Sequence, residues 1–277
     1  MNKSILISTD GSKFSEGAVR EAINMAKACK GKLFALSVVE VNQELMALGP
    51  TIIEEKIKDA KTVLEEVKKK ASREKVECET IVREGEETYQ LILQEAEKHN
   101  AGTIVMGRRG RKGIMRLLMG SATARVIGHA SCEVLVVPKD AHIHWRNIVL
   151  ATDGSSFSEA AAEEAIQIIK HCCPACTLNV IAVTRPSATP TRILIAEEAI
   201  RTITKRAQKE KISISSSLMK GKPHESIHES IIAYAEDKDA DVIIMGSHGR
   251  TGIQKLLTGS VAERVIGHMD RAVLIVK

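Results

Sequence analysis

Ile5-Leu6-Ile7-Ser8-Thr9-Asp10-Gly11-Ser12, followed by Phe14-Ser15-Glu16, returns as Ile148-Val149-Leu150-Ala151-Thr152-Asp153-Gly154-Ser155 with Phe157-Ser158-Glu159. Further on, Arg125-Val126-Ile127-Gly128-His129 returns as Arg264-Val265-Ile266-Gly267-His268. The offset is 143 at the start and 139 at the end, so the second copy is four residues shorter in between. A period this long marks duplicated domains rather than a solenoid of small repeats. The seam falls near Pro138 to Arg146, which gives expected domains at 1–140 and 145–277.

Within each copy, short apolar runs alternate with longer amphipathic stretches. The first copy reads as strands near 4–8, 32–39, 76–82, 101–106 and 133–137, with helices near 14–29, 51–73, 86–98 and 120–129. In the second, strands are expected near 147–151, 176–183, 212–219, 241–245 and 272–276, with helices between them. Runs such as Leu135-Val136-Val137 and Leu274-Ile275-Val276 are apolar without alternation, as in a sheet covered on both faces. Alternating strands and helices with right-handed crossovers give a doubly wound α/β fold with a parallel sheet. In such folds ligands sit at the carboxyl ends of the strands, where strand order reverses. Asp10 and Gly107 both lie just past strand carboxyl ends and can converge on one crevice.

Composition narrows the function classes. Of the 277 residues, 44% are hydrophobic and 27% charged, the balance of a globular protein. Aromatics make up 2%, so the core is aliphatic and the stacking platforms used to bind single-stranded nucleic acid are lacking. The net charge of +5 is shared: residues 1–140 hold 23 Lys+Arg against 20 Asp+Glu, the remainder 17 against 15. Neither half reads as a basic nucleic-acid domain. No secretory signal or run of roughly 20 apolar residues is visible, so no membrane association is expected and the chain is placed in the cytoplasm. The six cysteines are expected to be reduced thiols there.

The last strand-to-helix junction of each copy carries Gly-x2-Gly-x9-Gly-Ser. The first reads Met106-Gly107-Arg108-Arg109-Gly110 with Gly120-Ser121; the second reads Met245-Gly246-Ser247-His248-Gly249 with Gly259-Ser260. Glycines let backbone amides face a ligand, and a helix N-terminus just beyond favours an anion. A lone Gly-x2-Gly carries little information, since turns contain it constantly. Two loops of identical spacing between an apolar strand and a helix are far more specific, and they point to a phosphate-bearing ligand. Neither the Walker pattern nor the dinucleotide Gly-x-Gly-x-x-Gly is present. Asp10 and Asp153 read either as turn and cap residues or as carboxylates that accept from ribose hydroxyls.

These residues resemble the universal stress protein family, in two complete copies covering essentially the whole chain. The Thr-Asp-Gly-Ser strand ends, the glycine loops and the Val134-Leu135-Val136-Val137-Pro138 ending carry the likeness. The loop pattern is that of the family's ATP-binding branch. The resemblance implies two Rossmann-like domains of the adenine nucleotide alpha hydrolase type, each with a five-stranded parallel sheet of order 3-2-1-4-5. It implies that Val38 and Val183 flank adenine, and that Thr9 and Met106, with Thr152 and Met245, complete the base pocket. By the same likeness Ala122 and Val261 follow the cradle serines Ser121 and Ser260 in the nucleotide site, and Mg²⁺ or Mn²⁺ accompanies the ATP without protein ligands. Tandem relatives use their halves as an internal pseudo-dimer through the last strands, 133–137 and 272–276; a homodimer of whole chains stays open.

The copies differ at the loop. Ser247-His248 matches the family's usual residues, whereas Arg108-Arg109 stand in the first copy, followed by Arg111, Lys112 and Arg116. That charge either strengthens phosphate binding, fills the pocket, or forms a solvated basic loop. Cys173-Pro174-Ala175-Cys176 ends a helix instead of opening one, the wrong polarity for a redox Cys-x-x-Cys. With His171 and Cys172 it forms at best a weak metal candidate. Gly128 and Gly267 read as helix C-caps, which makes His129 and His268 structural. Binding machinery without paired carboxylates argues for an ATP-binding regulatory protein; the alternatives are a slow adenine-nucleotide hydrolase or transferase with His248 as base, and a scaffold with vestigial sites.

Overall fold

Ile5, Leu6 and Ile7 are fully buried, as are Ile148, Val149 and Leu150, and each triplet forms the middle strand of a parallel sheet. The computed structural model describes residues 4–47, 49–109, 119–249 and 259–277, and the chain divides into two units, residues 1–140 and 141–277.

Unit 1 runs β1 (Ser4–Ser8), α1 (Glu16–Cys29), β2 (Leu33–Glu40), α2 (Gln43–Ala47), α3 (Pro50–Arg73), β3 (Cys78–Gly85), α4 (Thr88–Lys98), β4 (Ala101–Gly107), α5 (Ser121–His129) and β5 (Glu133–Val137). Its strands are parallel in the order β3-β2-β1-β4-β5. Unit 2 runs β6 (Asn147–Ala151), α6 (Ser156–Cys172), β7 (Thr177–Thr184), α7 (Pro190–Lys209), β8 (Ser213–Lys220), α8 (Ile227–Asp237), β9 (Val242–Gly246), α9 (Ser260–His268) and β10 (Ala272–Val276). Its strands are parallel in the order β8-β7-β6-β9-β10. Both units therefore have the 3-2-1-4-5 order that the family resemblance implies. In each, strand order reverses beside the first strand.

Helix faces follow the residue spacing. α3 buries Ala60, Leu64, Val67 and Ala71, one stripe of a 3.6-residue period. Its counterpart α7 buries Ala196, Ile203 and Ala207. Both open on a proline at the first helical position, where the missing N–H has no intrahelical partner to lose. α8 starts in a capping box: Ser226 N donates to Glu229 Oε2 at 2.7 Å.

The copies differ in length at the fourth strand, seven residues in β4 and five in β9, and in the helices. α1 has 14 residues and α6 has 17; α3 has 24 and α7 has 20. The five-residue α2, which the sequence pattern does not announce, has no counterpart in unit 2. One expectation is corrected. Gly128 and Gly267 lie within the last turns of α5 and α9, and the C-caps are Ala130 and Met269. Both caps leave the helix in extended conformation, so no left-handed residue is required there.

Candidate functional site

The end of β6 builds one wall of a cleft in unit 2. Thr152 N continues the sheet by donating to Ile181 O at 2.9 Å, and Thr152 Oγ1 reaches Ser158 Oγ at 3.1 Å. Gly154 then takes φ +74°, a left-handed turn that other residues adopt only with strain. Ser155 N donates to Asp153 Oδ1 at 3.0 Å, an Asx turn, and Ser155 Oγ caps α6 by accepting from Ser158 N at 3.2 Å. The Asp-Gly-Ser stretch is thus a turn whose serine, not its aspartate, is the cap. Asp153 spends one oxygen on that turn and lines the cleft.

The facing wall comes from β9 and α9. Ser247 N donates to Val276 O at 2.8 Å, and Gly259 N donates back to Ser247 O at 2.8 Å, closing the loop that carries His248 and Gly249. Gly246 packs so tightly on α6 that a Cβ there would stand 2.7 Å from the Phe157 carbonyl carbon. A Cβ on Gly249 would stand 2.7 Å from Asp153 Oδ2. His248 rests its ring 5.4 Å from that of Phe157, with Nδ1 3.2 Å from Ser247 Oγ. α9 starts without a side-chain cap at Gly259, so the amides of Ser260, Val261 and Ala262 have no intrahelical acceptor and open on the cleft.

Together these walls enclose a cavity of about 540 Å³, a size ordinary for small-molecule sites. Thr152, Asp153, Val183, Met245, Gly246, Ser247, His248, Gly249, Gly259, Ser260 and Val261 all line it. The structure therefore brings together every unit 2 residue that the sequence reading assigned to the nucleotide site. It adds others: Ile227 and Ile231 on one face of α8, and Arg185, Ala188, Arg192 and Ala196 on the approach to α7 and in that helix. Their signal in the sequence was position. They follow the carboxyl ends of β7 and β8, where doubly wound sheets bind ligands.

Unit 1 repeats the first wall closely. Gly11 takes φ +70°, Thr9 Oγ1 and Ser15 Oγ lie 2.8 Å apart, and Ser12 N donates to Asp10 Oδ1 at 3.0 Å. A difference lies at the serine: Ser12 caps no helix, and its hydroxyl is buried with no hydrogen-bond partner among the described residues. On the other wall, Gly120 N donates to Arg108 O at 2.9 Å, and Thr123 Oγ1 donates to Gly107 O at 3.0 Å. α5 also starts without a side-chain cap, at Gly120, so Ser121 and Ala122 stand where Ser260 and Val261 stand in unit 2. Met106 is buried, and Arg109 holds a buried Nε without a partner among the described residues. Val38 holds the place of Val183: Leu36 pairs with Ser8 and Ile181 with Ala151, and each valine lies two residues further on. Gly110, with Arg111, Lys112 and Arg116, lies outside the described residues.

Elsewhere, α6 ends at Cys172 and Pro174 stands between it and β7, so the Cys173–Cys176 pair follows a helix C-terminus. Cys176 is buried and its thiol meets the Trp145 carbonyl oxygen. Among the described residues no group of three or more His, Cys, Asp or Glu is placed to hold a metal ion, and no helix is long and apolar enough to cross a membrane.

Two doubly wound α/β units, each with a glycine-bearing junction at the strand-order reversal, define the class. The chain belongs to the universal stress protein family, whose profile matches residues 1–138 and 144–277. A universal stress protein of Methanocaldococcus jannaschii is 40% identical over half of this chain and 82% of its own length. One from Mycolicibacterium smegmatis is 28% identical with 99% of this chain and 96% of its own covered. Among solved structures, a universal stress protein from Archaeoglobus fulgidus superposes with a TM-score of 0.79 over 100% of this chain and 97% of its own, at 23% identity.

Proposed function

We propose that the chain is an ATP-binding regulatory protein of the cytoplasm, in which nucleotide occupancy biases conformation or partner choice. The observation that supports it is the convergence, in one cavity of about 540 Å³, of a strand-end carboxylate, a glycine loop and an uncapped helix N-terminus. Asp153 accepts from ribose hydroxyls, Val183 and Met245 flank the base, and the amides of Gly246 to Gly249 and of Ser260 and Val261 hold the phosphates. A Cβ on Gly249 would meet Asp153 Oδ2, so glycine there lets the loop close on the carboxylate. Mg²⁺ or Mn²⁺ fits as a companion of the triphosphate: Asp153, which serves the ribose, is the one carboxylate lining the cavity among the described residues, so phosphates and water would supply the metal's ligands.

In unit 1 the same roles fall to Asp10, Thr9, Val38, Met106, Gly107, Gly110, Gly120, Ser121 and Ala122, with Arg108 and Arg109 in place of Ser247 and His248. Domains at 1–140 and 145–277 each carry one site. They form an internal pseudo-dimer through antiparallel pairing of β5 and β10, each an edge strand of its own unit's sheet.

Dedicated phosphoryl transfer needs a positioned base and charge stabilisation. His248 lines the cavity, yet its Nδ1 lies against Ser247 and no second carboxylate accompanies it among the described residues. Turnover is accordingly slow. Titrating nucleotide-stripped protein with Mg·ATP in a calorimeter tests the reading. Two ATP per chain supports both sites, and one ATP supports unit 2 alone. An absence of binding overturns the nucleotide reading, and turnover above about 1 s⁻¹ overturns the regulatory one.

A further inference from the structure

Two guanidinium groups in unit 2 take no part in the cradle. Arg185 follows the last residue of β7, Arg192 stands in the first turn of α7, and both line the cavity. Neither side chain has an ion-pair or hydrogen-bond partner among the described residues. A tight corner holds them: Ala188 N donates to Arg185 O at 3.0 Å, and Arg192 N donates to Thr189 O at 2.9 Å. Ala196, one turn beyond Arg192, is buried and lines the same cavity, so Arg192 shares the cavity-facing stripe of its helix.

The charge is misplaced for a helix that binds nothing. A cation in the first turn meets the positive end of the helix dipole, and the first turn of α7 has no acidic residue to offset it. Two guanidiniums and a helix N-terminus thus stack positive potential on one corner. Unit 1 lacks this arrangement. Counting four residues beyond the matched pairs Ser8–Leu36 and Ala151–Ile181 gives Glu40 in unit 1 and Arg185 in unit 2.

The strand order places β7 and β9 on opposite sides of β6. The arginine corner after β7 and the phosphate cradle after β9 therefore flank Asp153 from opposite sides. Building on the nucleotide reading, we propose that the unit 2 cavity takes a nucleotide carrying a second phosphate on its ribose, at the 2′ or 3′ oxygen. Arg185 and Arg192 hold that phosphate, Asp153 accepts from the remaining hydroxyl, and the cradle at α9 holds the 5′ chain. A carboxylate alone suits a free ribose diol, whereas an arginine beside it accommodates a ribose phosphate through paired, charge-assisted hydrogen bonds.

The test uses the full chain with Asp10→Ala, which isolates the second site, and compares adenosine 5′-monophosphate with the 3′,5′- and 2′,5′-bisphosphates by calorimetry. One of the bisphosphates should bind at least about tenfold tighter at low salt, the lower end for charged hydrogen bonds at exposed groups. The advantage should shrink as salt is raised. In the Arg185→Ala/Arg192→Ala variant the ligands should bind alike; both side chains are exposed and unpaired among the described residues, so the variant folds. Equal affinity in the parent, or a preference that survives in the variant, overturns the inference. ATP binding without a bisphosphate preference overturns it and leaves the nucleotide reading standing, whereas failure to bind any nucleotide removes both.

Discussion

Gly249 lies against Asp153 so closely that a single added methyl would stand 2.7 Å from Oδ2 of the carboxylate. The segments that follow the first and fourth strands of unit 2 meet at this point. The glycine loop and the strand-end aspartate, 96 residues apart in sequence, are therefore two walls of one cleft.

Because Gly249 is the contact between those walls, Gly249→Ala should displace the Asp153 carboxylate and weaken Mg·ATP binding at unit 2. Asp153→Ala removes charged hydrogen bonds of about 1.5–3 kcal/mol and should weaken it roughly 10- to 150-fold. Asp10→Ala should leave this site untouched. Calorimetry on the three variants checks the pattern; equal losses in all three would deny two independent sites.

Ser12 and Ser155 occupy the same place in the two copies and do different work. Ser155 Oγ accepts from Ser158 N and caps α6, so Ser155→Ala should cost about 1 kcal/mol of stability. Ser12 Oγ is buried without a partner among the described residues, so Ser12→Ala relieves an unsatisfied group and should be neutral or stabilising. Denaturant melts compare the two. A larger loss at Ser12 would contradict the hydrogen bonds described for the first turn.

His228 is buried between α8 and α9, its ring 5.4 Å from that of His268, with Ser226, Glu229 and Arg264 as its other polar neighbours. Burial pushes its pKa below the usual histidine value, and Arg264 and His268 push the same way against Glu229. The unfolded chain thus binds the proton more readily than the folded one. Stability from this group is complete above about pH 6.5 and is lost as pH falls through the depressed folded value. Unit 1 has Tyr89 in the equivalent contact with His129. His228→Tyr should flatten the fall in melting temperature between pH 7.5 and about 5.5, and an unchanged slope would assign the acid sensitivity elsewhere.

Several of these relationships were already legible in the residues. The recurrence of Ile5–Ser12 at Ile148–Ser155 announces two copies, because a duplicated stretch must fold twice in the same way. Continuous apolar runs such as Val242 to Met245 announce strands buried on both faces, since a half-exposed strand alternates. Gly-x2-Gly-x9-Gly-Ser announces an open helix N-terminus, because glycine leaves the amides uncovered and lends α9 no side-chain cap.

Tertiary structure alone decided the rest. That Asp153 and Gly249 touch depends on β6 and β9 being neighbours, a long-range pairing that local sequence does not encode. Arg185 and Arg192 become cavity groups because α7 starts a few residues after β7 and aims its first turn at the cleft; the charge of a side chain is written in the sequence, but what it faces is not. The same holds for Gly128 and Gly267, where glycine suggested a left-handed cap and the chain instead leaves each helix in extended conformation. Periodicity and backbone preference act over a few residues and can be read in one dimension. A cleft is a property of strands brought side by side, and its contacts follow from strand order and packing.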